Sequence, residues 1–448
     1  MTALADAPRR RPVFRASLAT NLGFAYFAVL SFPWAVELPN SISPGHLVML
    51  ASFPVWYAAA LARERAIFDE MAGLAARAVV ACTAVLIFWC MISAFIVDDP
   101  FRAARPSVSL FTAISVCALV AGTVTRSRLS TYVTILCLTL AVTAAITILA
   151  FADPTLHSII FRERDRAFGF FKNPNQFGIA ISTVLPLALS MVFVVRRRRA
   201  LWALSTVMLL LGLMATGSKA NILVSSVSLS TCLILFSFIT YSGPQKVIMV
   251  AATIFGCMVA GALVIMALSI INPRALSLLG EFVVEGEATH SLVGRSEIWA
   301  ESIALFKANP IFGVGAGQSI HGLSHSHNII LEFARTLGVP GMVFMTIKLL
   351  VILTICSSTI WLAVRTNAAN LADRYFCIGI AFGPIAYISA NFSSDSLGPS
   401  TSPFMYSVLF LGLASRRLLL SGEPVNPDTT TIAPQFSSRR DRPDVAPI

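Results

Sequence analysis

The chain has 448 residues, 56% of them hydrophobic and only 12% charged, with 33 Lys and Arg against 22 Asp and Glu for a net charge of +11. Its mean hydropathy is +0.78. Soluble domains carry about a quarter charged residues, so this composition excludes a soluble globular enzyme, a disordered chain and a disulfide scaffold. The basic excess does not mark a nucleic-acid binder, because most Lys and Arg stand at the ends of apolar blocks, where membrane topology places them. Membrane lipid is the expected surroundings, and nucleic acid is not an expected partner.

A crossing needs about 20 apolar residues, and the apolar blocks predict about twelve spans. They lie at approximately 18–36, 45–62, 78–97, 107–124, 130–151, 176–195, 201–216, 220–241, 247–271, 340–363, 375–391 and 397–415. The expected fold is therefore an all-α membrane protein. The start, MTALADAPRRRPVFR, is too basic and Pro-broken for a cleaved signal, so the first span is expected to stay on the protein. Alternating faces from an inner N-terminus puts Arg9 to Arg15, Arg63 to Arg77, Arg126 and Arg128, the run Arg196 to Arg199, Lys246, Arg365, Arg374 and the tail from Arg416 on the inside. That is roughly two-thirds of all cations, the asymmetry of the positive-inside rule, and it sets both termini on the inner side.

The chain thus divides into an inner segment 1–17, spans one to nine over 18–271, an outer loop over 272–339, spans ten to twelve over 340–415, and an inner tail 416–448. The tail is Pro, Ser and Thr-rich from about 421 and is expected to be disordered. All eight cysteines (Cys82, Cys90, Cys117, Cys137, Cys232, Cys257, Cys356 and Cys377) sit in apolar blocks without a CxxC pair. They read as small core residues rather than a metal knuckle.

Three outer segments carry cations against the topological trend. Arg162, Arg164 and Arg166 precede GFFKNPNQFG, where Asn173-Pro174-Asn175 reads as a helix-starting turn with Asn175 as a candidate N-cap. Ser218-Lys219 stands on a tight turn between spans seven and eight, close enough to the surface to meet an anionic headgroup. The long loop places Arg295 at the start of a helical pattern over Arg295–Lys307, with Ile298, Trp299, Ile303, Leu305 and Phe306 as its apolar stripe. A second pattern, His327–Leu337, has Ile329, Ile330, Phe333, Ala334 and Leu337 on one side. Both are expected to be amphipathic helices on the outer membrane surface.

The same loop holds His321, His325 and His327 within seven residues. A metal reading would need further ligands, and Glu332 and His290 are the obvious ones; no metal is expected. The other readings are a general base, since the unperturbed pKa of His is near operating pH, and a plain polar helix start. Gly313-Val-Gly315-Ala-Gly317 has neither the preceding strand nor the lysine of a phosphate loop; it reads as a tight bend that lets backbone approach a substrate. Guanidinium and ammonium groups suit a diphosphate, and a histidine suits deprotonation of a hydroxyl. The residues together point to a site outside the membrane for an amphiphile with a phosphate headgroup.

In order, Arg166…Gly169…Asn173-Pro174-Asn175, Thr216-Gly217-Ser218-Lys219, Gly294-Arg295-x3-Trp299, Asn309-Pro310-x2-Gly313-Val-Gly315-x-Gly317 and His327-Asn328-x2-Leu331-Glu332-x4-Leu337-Gly338 resemble the O-antigen ligase and polymerase family over roughly residues 160–345. The resemblance implies a multispan glycosyltransferase of the bacterial inner membrane, similar in architecture (GT-C-like) to other lipid-dependent glycosyltransferases, with the 272–339 loop periplasmic and both termini cytoplasmic. It implies transfer of a glycan from undecaprenyl diphosphate to an acceptor sugar hydroxyl, with inversion and with no metal or cofactor. The acceptor is a glycan or a lipid-linked glycan, and a chain-length regulator is a candidate partner.

Carried over by motif, Lys219, Arg295 and His327 are the expected catalytic residues and Arg166 a further basic position; beside Arg166, the residues His325, Arg335 (where the ending departs from the family's pattern) and Asn175 are the expected substrate-binding ones. The turn that usually reads Ser-Arg-Gly reads Ser218-Lys219-Ala220 here, which keeps the charge and loses the bidentate fork. A polymerase of lipid-linked repeat units is the expected activity. A ligase acting on lipid A core is the alternative, and a lipid-linked glycan transporter the second. A transporter should place ionisable residues at the bilayer midplane, and only Lys348 lies clearly within a span.

Overall fold

The computed structural model describes residues 13–33, 43–62, 70–97, 99–161, 166–271, 290–318, 325–366, 370–392 and 401–420. The N-terminal basic segment to residue 12, Arg162, Arg164, His321, loop residues 272–289 and the tail from 421 lie outside the described residues. In chain order the helices are α1 (Val13–Val29), α2 (Pro44–Ala62), α3 (Glu70–Ala94), α4 (Pro100–Thr123), α5 (Arg126–Leu149), α6 (Pro154–Ile160) and α7 (Pro174–Val194). They continue as α8 (Arg199–Ala215), α9 (Lys219–Thr240), α10 (Gly243–Ile271), α11 (His290–Ala308), α12 (Ile329–Arg365), α13 (Leu371–Asn391) and α14 (Ser402–Leu420), with a 3-10 turn at Arg196–Arg198.

Among the described residues there is no strand. In lipid every backbone polar group must be satisfied internally, which a helix does within its own segment. Ten of these helices are long and apolar enough to cross a membrane, with a shorter apolar one at Leu18–Val29. Each of the twelve predicted spans coincides with a helix, α14 filling the twelfth place. The protein is a multispan all-α membrane protein.

Two elements differ from the sequence reading. The short α6 was not expected; Asp153 caps it, accepting from the backbone N–H of Thr155 at 2.8 Å and of Leu156 at 3.2 Å. The second difference lies in the segment before the tenth span. α12 starts at Ile329 and runs to Arg365 across a break at Gly338, whose φ of 66° and ψ of −158° are non-helical. The run is thus two helices joined at a kink; the second starts close to the expected residue 340, and the first is the expected helix up to Leu337, but not an amphipathic one. Its polar face is inside as well as its apolar one, since Glu332 and Arg335 are buried with Phe333, Ala334 and Leu337.

α7 and α13 form the centre and are buried over most of their length. They run antiparallel. A side chain at Gly379 would meet Ser190 and the carbonyl of Pro186, and one at Gly383 would meet the carbonyl of Thr183. Small residues let two backbones close up where lipid gives no hydrophobic drive to association. Arg374 at the start of α13 donates to Ala363 O at 2.7 Å and Val364 O at 2.9 Å, at the end of α12. Ser225 Oγ donates to Ser182 Oγ at 2.8 Å, which sets α9 beside α7 and parallel to it. The starts of α7, α9 and α12 thus share one end of the bundle. α10 lies at the periphery, with none of its apolar stretch buried.

Candidate functional site

The first group of residues is built where the chain enters α7 and α9. Asn173 caps α7, accepting from Gln176 N at 2.9 Å, and Pro174 takes the first helical position. Proline suits that place because its missing N–H has no partner there anyway. Asn175 is not the N-cap; it is the second helical residue, two positions past the cap. Its Oδ1 accepts from Arg166 Nη2 at 3.1 Å, while Arg166 Nε donates to Thr216 O at 2.9 Å. Ala167 N–H donates to Ala215 O at 3.0 Å and holds the two segments side by side.

The turn from α8 to α9 is closed by Gly217 at φ 59°. A side chain would be strained in that left-handed conformation. Thr216 Oγ1 accepts from Ser218 N–H at 3.1 Å. Ser218 occupies the N-cap position of α9 but makes no side-chain cap bond, because its Oγ accepts instead from Asn221 Nδ2 at 2.8 Å. Lys219 is the first residue of the helix and is half-buried. A cation at a helix N-terminus opposes the macrodipole. That cost turns favourable when an anion meets both the ammonium and the helix start.

The second group lies where the long loop enters α12. α11 is helical where expected, with Arg295, Ile298, Trp299, Leu305 and Phe306 half-buried along one face and Ile303 exposed. Ser302 Oγ donates to Ser326 Oγ at 2.9 Å, which ties α11 to the histidine segment. Ser326 N–H donates to Glu332 Oε2 at 2.8 Å. His325 is exposed and His327 half-buried, the latter with a positive φ of 50°. Asn328 then caps α12, accepting from Ile330 N and Leu331 N, both at 3.1 Å. An open cleft of about 480 Å³ runs beside it, lined by Ile303, Phe306, Ile330, Leu331 and Phe392 with Lys307 and Asn328. Among the described residues no three His, Cys, Asp or Glu come together in a way that could hold a metal ion.

Arg335 belongs to the fold of this segment. It is fully buried, and its Nη2 donates to both Glu332 oxygens, at 2.9 and 3.1 Å. A guanidinium spent on a buried carboxylate is not placed to meet a phosphate, which corrects the expectation for this residue.

The glycine segment also has a different role from the bend expected at a substrate. The break at Gly338 frees the carbonyls of three successive residues, and each finds a donor. Arg335 O accepts from Val314 N at 2.9 Å, Thr336 O from Gly315 N at 3.0 Å, and Leu337 O from Trp89 Nε1 at 2.9 Å. Val339 N–H in turn donates to Pro310 O at 2.7 Å. A side chain at Gly313 would meet the backbone of residues 335–337, and one at Gly338 the backbone of Pro310 and Ile311. The glycines bring backbone to backbone, and so keep buried polar groups satisfied.

Of the sequence-chosen residues, the structure therefore joins Arg166, Asn175 and Lys219 in one cluster, and Arg295, His325, His327 and Arg335 in elements tied by Ser302 and Ser326. The clusters share an end of the bundle but stand on different helices. Asn221 was missed. A lone Asn in an apolar block, two residues after a lysine on a turn, was the available signal.

Residues 204–346 match the family model described as O-antigen ligase. This segment of the chain thus carries the O-antigen ligase domain. The protein is a membrane enzyme of the glycosyltransferase type, with a lipid-linked glycan donor and an acceptor. The O-antigen ligase segment contains Lys219, Arg295, His325 and His327. Arg166 and Asn175 precede it and are joined to it through Thr216 and Asn221. A search of curated proteins gives no match.

Proposed function

We propose that this protein is a polymerase of the bacterial inner membrane, transferring undecaprenyl-diphosphate-linked oligosaccharide repeats to an acceptor sugar hydroxyl at the periplasmic face. Loop 272–339 is then periplasmic and catalytic, and both termini are cytoplasmic. The observation that carries this reading is the placement of Lys219 at the start of α9, where no side-chain cap competes for the first turn, at the same end of the bundle as His327.

Lys219 and Arg295 hold the diphosphate and stabilise the charge that builds on it as the sugar leaves. Such preorganised electrostatic stabilisation is usually the largest catalytic contribution. His327 takes the proton of the attacking hydroxyl, the acceptor oxygen bonds to the anomeric carbon from the face opposite the phosphate, the carbon–oxygen bond to the diphosphate breaks, and the configuration inverts. No metal or cofactor is used. The apolar cleft beside Asn328 suits an aliphatic chain, with Lys307 at its rim for an anionic headgroup. The short loop and the lysine at the α9 turn favour a polymerase over a ligase acting on lipid A core.

Purified protein in lipid, supplied only with the lipid-linked repeat unit, tests this. A ladder of multiples on a sizing gel is expected, and it should be lost in Arg295→Ala. Transfer that appears only after a lipid A core acceptor is added would replace the polymerase with a ligase.

A further inference from the structure

Asn221 is 1% exposed and lies in the first turn of α9, two residues after Lys219. Its Nδ2 donates twice, to Ser218 Oγ at 2.8 Å and to Asn175 O at 3.1 Å. The backbone carbonyl of Asn175 can only accept, so the atom facing it is the amide nitrogen, and the orientation of the side chain is settled. The opposing helix is shaped for this amide. A Cβ at Gly178 would stand 2.5 Å from Asn221 Nδ2 and 3.1 Å from its Cγ. Below it, Asn221 O accepts from Ser182 Oγ at 3.3 Å, and Ser182 Oγ accepts from Ser225 Oγ at 2.8 Å, which continues the polar contact between α7 and α9.

Arg166 makes the matching connection from above. It joins Asn175 Oδ1 to Thr216 O, as Asn221 joins Asn175 O to Ser218 Oγ. The two straps therefore run from one residue of α7 to either side of Gly217, in the turn that delivers Lys219. Within the membrane boundary a buried amide with two protein acceptors fixes its neighbours, because lipid offers it no alternative partner.

We infer that Asn221 is a positioning residue. With Arg166 it clamps the start of α9 onto the start of α7 and so sets where the Lys219 ammonium stands. The inference rests on the reading above that Lys219 meets the diphosphate, but its first test does not. Full-length protein in lipid is trace-labelled with acetic anhydride, and acetylation of Lys219 is compared with that of Lys307 on α11 by mass spectrometry. In Asn221→Leu, the labelling of the half-buried Lys219 should rise while that of Lys307 holds. Gly178→Ala, which pushes the amide aside without removing it, should give a smaller change of the same sign, and carries the test if Asn221→Leu inserts poorly. Unchanged Lys219 labelling in these variants overturns the inference.

Transfer then gives the second readout. Asn221→Leu should lower kcat/KM by about 10- to 10²-fold, the scale of a misplacement of about 1 Å. If Asn221 acts through Lys219, the double variant with Lys219→Ala should be no worse than Lys219→Ala alone, to within about twofold. Fully additive losses would overturn the inference. Full transfer by Lys219→Ala alone would instead remove the diphosphate role, and the labelling result would still decide whether Asn221 positions that lysine.

Discussion

The two clusters at this shared end of the bundle solve the same problem in different ways. At the start of α9 the turn that carries the cation is held by hydrogen bonds to neutral acceptors. An amide, a hydroxyl and a guanidinium bind backbone carbonyls and side-chain oxygens across a two-helix contact. At the start of α12 the histidine segment is held by a buried charge pair, Glu332 with Arg335, and by a broken helix docked onto a glycine loop. The first arrangement is local and spreads its hold over several separate hydrogen bonds. The second is all-or-none, because removing either charge leaves the other buried and unpaired. The histidine cluster should therefore be the more brittle, in stability as well as in activity.

The largest effect is expected at His327. Its replacement by Ala should cost about 10²–10⁴ in transfer rate, the range of general-base help, with normal insertion and an unchanged melting temperature. Arg295→Ala should cost about 10²–10³, the scale of losing one donor to a developing charge. Full transfer in both variants would locate the chemistry elsewhere in the fold.

Glu332→Ala comes next and probes the support rather than the chemistry. Breaking a buried pair by removing one partner costs about 3–5 kcal/mol. It should also release Ser326 N–H and so loosen the link to α11. A lowered melting temperature in detergent together with lost transfer is expected, and a stability equal to the parent's would contradict the brittleness of this cluster. Gly338→Ala should cost somewhat less. Holding a non-glycine residue at positive φ costs about 1–2 kcal/mol, and the added methyl must also displace the backbone of Ile311. If Gly338→Ala melts with the parent, α12 does not need its break.

The difference between the clusters also sets what could be read without coordinates. The spans were legible because about 20 apolar residues in a row have few other uses. Asn173-Pro174, Lys219, Arg295 and the histidines were legible as turns and cations out of topological place. The helix end at Gly338-Val339-Pro340 was legible too, and the backbone does break there. That three freed carbonyls find donors in Val314, Gly315 and Trp89 is a long-range fact with no local signature. Arg335 was misassigned although Glu332 lies at the three-residue spacing of a helical ion pair. A buried arginine and one awaiting a phosphate differ only in what surrounds them. Asn221 was passed over because an amide in an apolar block draws notice only once its two acceptors are known.

The smallest effect, and the sharpest test of the contrast, is expected for Lys219→Arg. Arginine restores a planar fork where lysine offers a point charge, and both are cations at the same helix start. If the clamp sets only the origin of the side chain, the longer guanidinium can still reach a diphosphate from the first turn of α9. Transfer should then stay within about threefold of the parent, since a conserved charge keeps most of the electrostatic contribution. The equivalent exchange on the charged side, Arg335→Lys, has no such latitude. It replaces a guanidinium that donates to both oxygens of a buried carboxylate, and should lower the melting temperature by several degrees, for a loss of about 1 kcal/mol or more. A Lys219→Arg protein as impaired as Lys219→Ala would show that the turn fixes the ammonium itself and not merely its base. Both clusters would then be equally unforgiving, and the distinction between a clamp on neutral acceptors and one on a buried carboxylate would lose its functional meaning.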